Sequence, residues 1–103
     1  MQEEVSATSV QKIARISGKA GRAEELREAL RQLEIATREE PGCIEFTFFQ
    51  AISNENSFIL VERFANQDAL QTHMQLPHTQ AFFKAQLVDA VHAVNVPSPG
   101  QSA

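Results

Sequence analysis

Three consecutive stretches decide the fold of this chain: EPGCIEFTFFQ at 40–50, SFILVERF at 57–64, and NQDALQTHMQLPHTQAFF at 66–83. The first two alternate along the chain with a period of two, which is typical of β-strands. A short polar segment rich in Ser and Asn joins them, so we expect an antiparallel hairpin. The third stretch begins with an asparagine able to cap a helix and contains a proline, which predicts two short helices in succession.

Outside these stretches, the alternation at 10–17 and 88–96 predicts two further strands, and the apolar stripe at 22–39 predicts an amphipathic helix. Residues 1–9 and 97–103 are polar or rich in Pro and Ser, and we interpret them as flexible tails. The order of elements is strand, helix, strand, strand, helix, strand. This order predicts an α+β domain with the split βαβ arrangement, a four-stranded antiparallel sheet with its helices on one face.

The composition limits the classes of function. The chain has 103 residues and a net charge of -4 without a basic patch, so we expect one domain and no nucleic-acid partner. No apolar run approaches the ~20 residues of a membrane helix, and the polar N-terminus does not resemble a secretory signal. We therefore expect a cytoplasmic protein that does not enter a membrane. Cys43 is the single cysteine and has no partner for an internal disulfide.

The two central strands carry apolar side chains on both faces. In β-strand alternation Leu60 and Phe64 share one face, while Ile59 and Val61 share the other. Helices can cover only one face. Burying a Phe or Leu side chain stabilises by ~1.5–3 kcal/mol, which is lost for each one left exposed. We therefore predict a homodimer that covers the second face, and a pocket between the sheet and the helices.

Several of these residues resemble the antibiotic biosynthesis monooxygenase family, which includes small quinol monooxygenases. The matching features are the segment ARISGKAGRAEELREAL, Pro41–Cys43, Glu62, Phe64, His73 and Pro77–His78. They cover about residues 10 to 96. The resemblance implies a dimeric ferredoxin-like α/β barrel. It also implies oxidation of quinols or phenols by dioxygen without flavin, metal or haem, so we expect no cofactor.

One departure from the family concerns the third strand. The better-studied oxygenases that this chain resembles carry an Asn and a Trp four residues apart there, and the matching positions are Leu60 and Phe64, which offer no hydrogen bonds. Haem-degrading relatives keep that Trp and a later haem-ligating His. Phe64 and the run Phe82–Lys84 do not supply this pair, so we do not expect haem degradation. Leu60 and Phe64 are predicted to contact the substrate.

Glu62 and His73 are the main catalytic candidates. A carboxylate on an apolar strand face has a raised pKa, and Glu62 could accept the proton of a phenol. Alternatively it forms a structural ion pair with Arg15 or Arg63. His73 lies on the inner stripe of its helix and could shuttle a proton, or could hydrogen-bond Glu62 and hold the helix to the sheet.

The other two histidines are weaker candidates. His78 follows Pro77 at a helix start, where free amides favour anions, so it could help to hold a phenolate; otherwise it caps the turn. His92 on the last strand could line the pocket or the dimer interface. We expect no metal site, because His73 and His78 are five residues apart across a proline and fit no short ligand motif.

Three functions remain open from the sequence. The first is a monooxygenase that oxidises a quinol or another electron-rich aromatic substrate with dioxygen. The second is an isomerase of a small, possibly phosphorylated metabolite, for which Arg15 and Lys12 would supply positive charge. The third is a dimeric module that binds a small apolar ligand without catalysis, which the Leu60 and Phe64 departures favour.

Overall fold

The computed structural model describes residues 8–97. Along the chain it contains β1 (Val10–Gly18), α1 (Ala23–Arg38), β2 (Cys43–Gln50), β3 (Ser57–Phe64), α2 (Gln67–Gln75), α3 (Pro77–Lys84) and β4 (Val88–Val96). The predicted order of elements is confirmed, and most boundaries lie within one or two residues of the prediction. Most of the two predicted tails, 1–7 and 98–103, lies outside the described residues.

The four strands form one antiparallel sheet in the order β2-β3-β1-β4. Strand β1 lies between β3 and β4, with Ala14 opposite Leu60 on one side and Ala93 on the other. The link between β2 and β3 is the predicted hairpin, and Phe48 pairs with Leu60 across it. The split βαβ topology of the α+β class is therefore confirmed.

The core lies between one face of this sheet and the three helices. Strand β3 alternates strictly between buried and half-buried residues, because every second side chain points toward the helices. Helix α1 places Leu26, Leu30 and Leu33 against that face at spacings of three and four residues. This inner face of the sheet is where a cavity can form, since the helices do not fill all of it.

The break between α2 and α3 has the predicted chemistry. The Asn66 side chain accepts a hydrogen bond from the Ala69 amide at 2.8 Å and caps α2. Leu76 has an extended conformation between the helices, and Pro77 is the first residue of α3. The turn fixes the relative positions of His73 and His78, one on each side of it.

No helix within residues 8–97 covers the outer face of the sheet. Ile13, Phe49 and Val94 remain 36%, 53% and 51% exposed there. Ile13 is paired with both Val61 and Val94, so the apolar side chains form a continuous row across three strands. No helix among residues 8–97 is long and apolar enough to span a bilayer.

Candidate active site

A cavity of about 390 Å³ lies between the inner face of the sheet and the helices. Its lining is predominantly apolar, with a small number of polar side chains. From the sheet it receives Lys12, Leu60 and Glu62, and from the helices Leu70, His73 and Phe82. An apolar concave site with few convergent polar groups is the usual form of a small-molecule site.

Glu62 is the buried acid of this cavity, with only 9% of the residue exposed. It lies on β3 opposite Phe46 on one side and Lys12 on the other. Burial raises the pKa of Glu62 from 4.5 to about 7, because the charged carboxylate loses its hydration, while Lys12 acts in the opposite direction. A carboxyl group in this setting can change its protonation state near neutral pH.

The alternative of a Glu62 ion pair with Arg15 or Arg63 is wrong. Strand alternation puts Glu62 on the inner face and its neighbour Arg63 on the outer face, and Arg15 pairs with Ile59 on that outer face as well. Lys12 is paired with Glu62 across β1 and β3 and is the cation that shares the inner face with it. It is also the cationic side chain that lines the cavity.

His73 lines the cavity from α2 and is only 3% exposed. Its ring packs against Phe46 and Phe64 at centroid distances of 5.2 and 5.0 Å. Nδ1 lies 2.9 Å from Oε2 of Glu40, an acid in the connection between α1 and β2. The structure therefore places His73 in a hydrogen bond with Glu40, where the sequence had suggested Glu62.

His78 reaches the same oxygen from α3. Its Nε2 lies 2.6 Å from Oε2 of Glu40, and its side chain is 28% exposed. Both ring nitrogens therefore lie within hydrogen-bond distance of one carboxylate oxygen. We call Glu40, His73 and His78 the Glu40 cluster. The two histidines are five positions apart across a proline, yet both rings reach the same carboxylate oxygen.

Glu40 is the residue that the sequence analysis missed. It begins the stretch that decides the fold, directly before Pro41 and Gly42, but no role was assigned to it. The available signal was a carboxylate next to a chain-turning Pro-Gly pair. What the sequence could not supply was its partners, which lie 33 and 38 residues further along the chain.

Not all of the residues predicted to contact the substrate lie at the cavity. Leu60 lines the cavity, and its contact with a substrate stays a prediction. Phe64 is 1% exposed and lies beneath His73 in the core, so its predicted contact with the substrate is not supported by this position. Arg15 and His92 are exposed, face each other across β1 and β4 on the outer face, and do not line the cavity of their own chain.

The geometry therefore separates two groups of polar residues. Glu62 and Lys12 lie on the sheet and face an apolar cavity, while the Glu40 cluster lies behind the helical wall with His73 shared between cluster and cavity. The first group can accept and release a proton next to a bound apolar molecule. The second fixes the ring of His73 through its hydrogen bond to Glu40, which also binds His78.

Comparison with known proteins agrees with this architecture. The sequence profile of the family described as antibiotic biosynthesis monooxygenase matches residues 9–85. The solved structure of PA3566 from Pseudomonas aeruginosa is 27% identical with a TM-score of 0.83, and the match covers 92% of this chain and 97% of that one. SO0527 from Shewanella oneidensis is 25% identical with a TM-score of 0.80, with coverage of 90% and 93%.

A curated relative matches a shorter segment. The uncharacterized protein sll1783 from Synechocystis sp. is 39% identical over 46 residues, which are 45% of this chain and 31% of that protein. The matched segment thus spans about a third of the relative's length. The profile match covers most of the chain and includes helix α1, the β2–β3 hairpin and all three residues of the Glu40 cluster. The chain belongs to the antibiotic biosynthesis monooxygenase family.

Proposed function

We propose that this protein is a monooxygenase that oxidises a quinol or another electron-rich aromatic molecule with dioxygen, without a bound cofactor. The observation that carries the proposal is the buried carboxyl of Glu62, with a pKa raised to about 7, on the wall of an apolar cavity of about 390 Å³. Family membership supports a monooxygenase-type role in general terms. The aromatic substrate and the use of dioxygen are part of the proposal.

Glu62 acts first as a general base in this scheme. Its carboxylate accepts the proton of a phenolic hydroxyl, and the phenolate that remains gives up an electron to dioxygen far more readily than the phenol does. A base is most effective when its pKa lies near the working pH, which holds for a pKa of about 7. Lys12, opposite Glu62 in the strand register, is placed to stabilise negative charge on the substrate oxygen.

The overall reaction needs no external reductant. When a phenol becomes a quinone, one oxygen atom of dioxygen forms a carbonyl on a ring carbon that loses its hydrogen, and the other leaves as water. The ring supplies all four electrons that dioxygen accepts. The protein therefore has to bind the ring, remove a proton and exclude bulk water, and the apolar lining from Leu60, Leu70 and Phe82 is suited to these tasks.

Non-catalytic binding of an apolar ligand is the second candidate, and the cavity itself favours it. Leu60 and Leu70 offer no hydrogen bonds, so such a ligand would be held mainly by burial of its apolar surface. An isomerase of a phosphorylated metabolite has less support. Arg15 lies on the outer face, and Lys12 alone provides positive charge among the described lining residues.

A homodimer is part of the same proposal. The outer-face row of Ile13, Val61 and Val94 is apolar, and no helix among residues 8–97 covers it. Phe49 lies on the same face, paired with Ile59, and is 53% exposed. Pairing of two such faces would remove these side chains from water. It would also bring the exposed side chains of Arg15 and His92 into the interface between the two chains, where His92 was one of the predicted candidates.

The proposal is tested by oxygen uptake with purified protein and a panel of hydroquinones and naphthols. We expect uptake that depends on the protein and falls by about 100-fold or more in Glu62→Gln, in line with the contribution of a general base. Glu55→Gln is the matched control, because Glu55 is an exposed acid in the β2–β3 turn. Absence of uptake across the panel, with tight binding of the same aromatics, would contradict catalysis and support the ligand-binding module.

A further inference from the structure

The Glu40 cluster brings three metal-ligand side chains together from three separate segments. Glu40 follows α1, His73 lies in α2, and His78 is the second residue of α3. One ligand atom from each lies within 4.8 Å of the other two. Neither Glu40 nor His78 lines the cavity, so the proposed oxidation leaves both without a direct chemical role.

We infer that the Glu40 cluster binds one divalent transition-metal ion of the zinc type. Two imidazole nitrogens and one carboxylate oxygen are a donor set that proteins use for Zn²⁺. Mg²⁺ and Ca²⁺ are poorer candidates because they prefer sites made of oxygen ligands alone. The inference does not depend on the proposed oxidation, since the ion would connect helices and Glu62 is not among its ligands.

The distances are compatible with a tetrahedral ion after small side-chain movements. Bonds of ~2.0–2.1 Å place two ligand atoms of a tetrahedral site about 3.3 Å apart. Here Oε2 of Glu40 lies 2.9 Å from Nδ1 of His73 and 2.6 Å from Nε2 of His78. Each of these two distances would have to increase by less than about 1 Å to reach the tetrahedral spacing. The two ring nitrogens are already within 4.8 Å and need to approach each other only modestly.

The ligands are held in place by the fold. The ring of His73 is packed against Phe46 and Phe64. The amide of Glu40 donates to the Thr37 carbonyl at 3.0 Å, and the Glu40 carbonyl accepts from the Cys43 amide at 3.0 Å. Little conformational freedom is therefore lost when an ion binds, which favours affinity. The partly exposed ring of His78 gives the ion a route from solvent.

Charge balance is a second, independent reason for a cation. The Glu40 side chain is only 8% exposed, and within residues 8–97 its ion-pair partners are the two histidines, with no lysine or arginine among them. A buried carboxylate whose partners carry no permanent positive charge retains part of its desolvation cost. A divalent ion would supply the missing positive charge. It would also join the end of α1 to the α2–α3 turn and stabilise the folded chain.

The experiment titrates Zn²⁺ by calorimetry, and Co²⁺ by visible absorption, into full-length protein freed of metal. We expect one ion per chain, a Co²⁺ spectrum of tetrahedral type, and a higher unfolding temperature with Zn²⁺. Loss of an outer partner of a ligand weakens metal sites by ~10–100-fold, so removal of a ligand in His78→Asn should weaken Zn²⁺ binding by at least about 100-fold. His92→Asn is the matched control, because His92 lies on the opposite face of the sheet and should leave binding unchanged.

Two results would overturn the inference. One is the absence of stoichiometric Zn²⁺ or Co²⁺ binding by the wild-type protein at millimolar metal. The other is equal binding by the wild type and His78→Asn, when circular dichroism shows that both proteins are folded without metal. X-ray absorption of the wild-type Zn²⁺ complex gives a readout that needs no variant: two imidazole ligands support the site, and a shell of water oxygens alone refutes it.

Discussion

The raised pKa of Glu62 makes a quantitative prediction about stability. An acid whose pKa is higher in the folded chain than in the unfolded chain binds more protons when folded in the interval between the two values. Stability is then greatest below the unfolded pKa and falls as pH rises toward the folded pKa. For Glu62 the two values are 4.5 and about 7, so the loss is confined to this interval.

The size of the loss follows from the same values. A difference of one pKa unit corresponds to about 1.4 kcal/mol, so ionisation of Glu62 should lower the free energy of unfolding by about 3 kcal/mol between pH 4.5 and pH 8. Glu62→Gln keeps the size of the side chain but cannot ionise. From pH 4.5 to pH 8 the wild type should therefore lose about 3 kcal/mol of unfolding free energy relative to Glu62→Gln, which lacks this titration.

The assay is urea unfolding of both proteins at several pH values and at one chain concentration, since association would add its own contribution. Taking the difference between the two unfolding free energies cancels the contributions of all other titrating groups, which the two proteins share. Glu55→Gln is the control, and its difference from the wild type should not change over the interval because Glu55 is exposed. A flat difference for Glu62→Gln would refute the claim that burial raises this pKa.

Three further predictions concern the cavity, the packing and the outer face. Lys12→Met should raise the pKa of Glu62 further, because Lys12 lowers it in the wild type, and carboxyl NMR titration would measure the change. Gly42→Ala should destabilise the chain by ~1–3 kcal/mol in urea unfolding, because a Cβ there would clash with Cβ of Ala69. An unchanged unfolding midpoint would contradict this packing. Ile13→Lys should convert the proposed dimer to monomers in sedimentation velocity without loss of secondary structure, because it puts a charge in the exposed apolar face. A dimer that persists in this variant would contradict an interface on the outer face.

The order and bounds of the elements could be predicted from sequence because they depend on local periodicity. Alternation on β3 and the three-to-four spacing on α1 are properties of the chain within one element. The cap at Asn66 and the break at Pro77 are local as well, and both were confirmed. The inner-face position of Glu62 followed from the same alternation.

The contacts of the candidate site could be predicted only in part. Alternation assigns Phe64 to the inner face, but it does not reveal that His73 and Phe46 enclose the ring. The bond between His73 and Glu40 joins residues 33 positions apart, and no local pattern specifies it. Arg15 was assigned to the substrate for its charge, although its parity with Ile13 already placed it on the face away from the helices.

The most direct test of the central claim is a reaction under isotopically labelled dioxygen, followed by mass spectrometry of the aromatic product and of water. The account predicts that the wild-type protein places one labelled oxygen atom in the quinone and the other in water, and that Glu62→Gln forms this product at least about 100-fold more slowly. Unlabelled product, or equal rates for both proteins, would contradict the assignment of Glu62 as the base of an oxygenase.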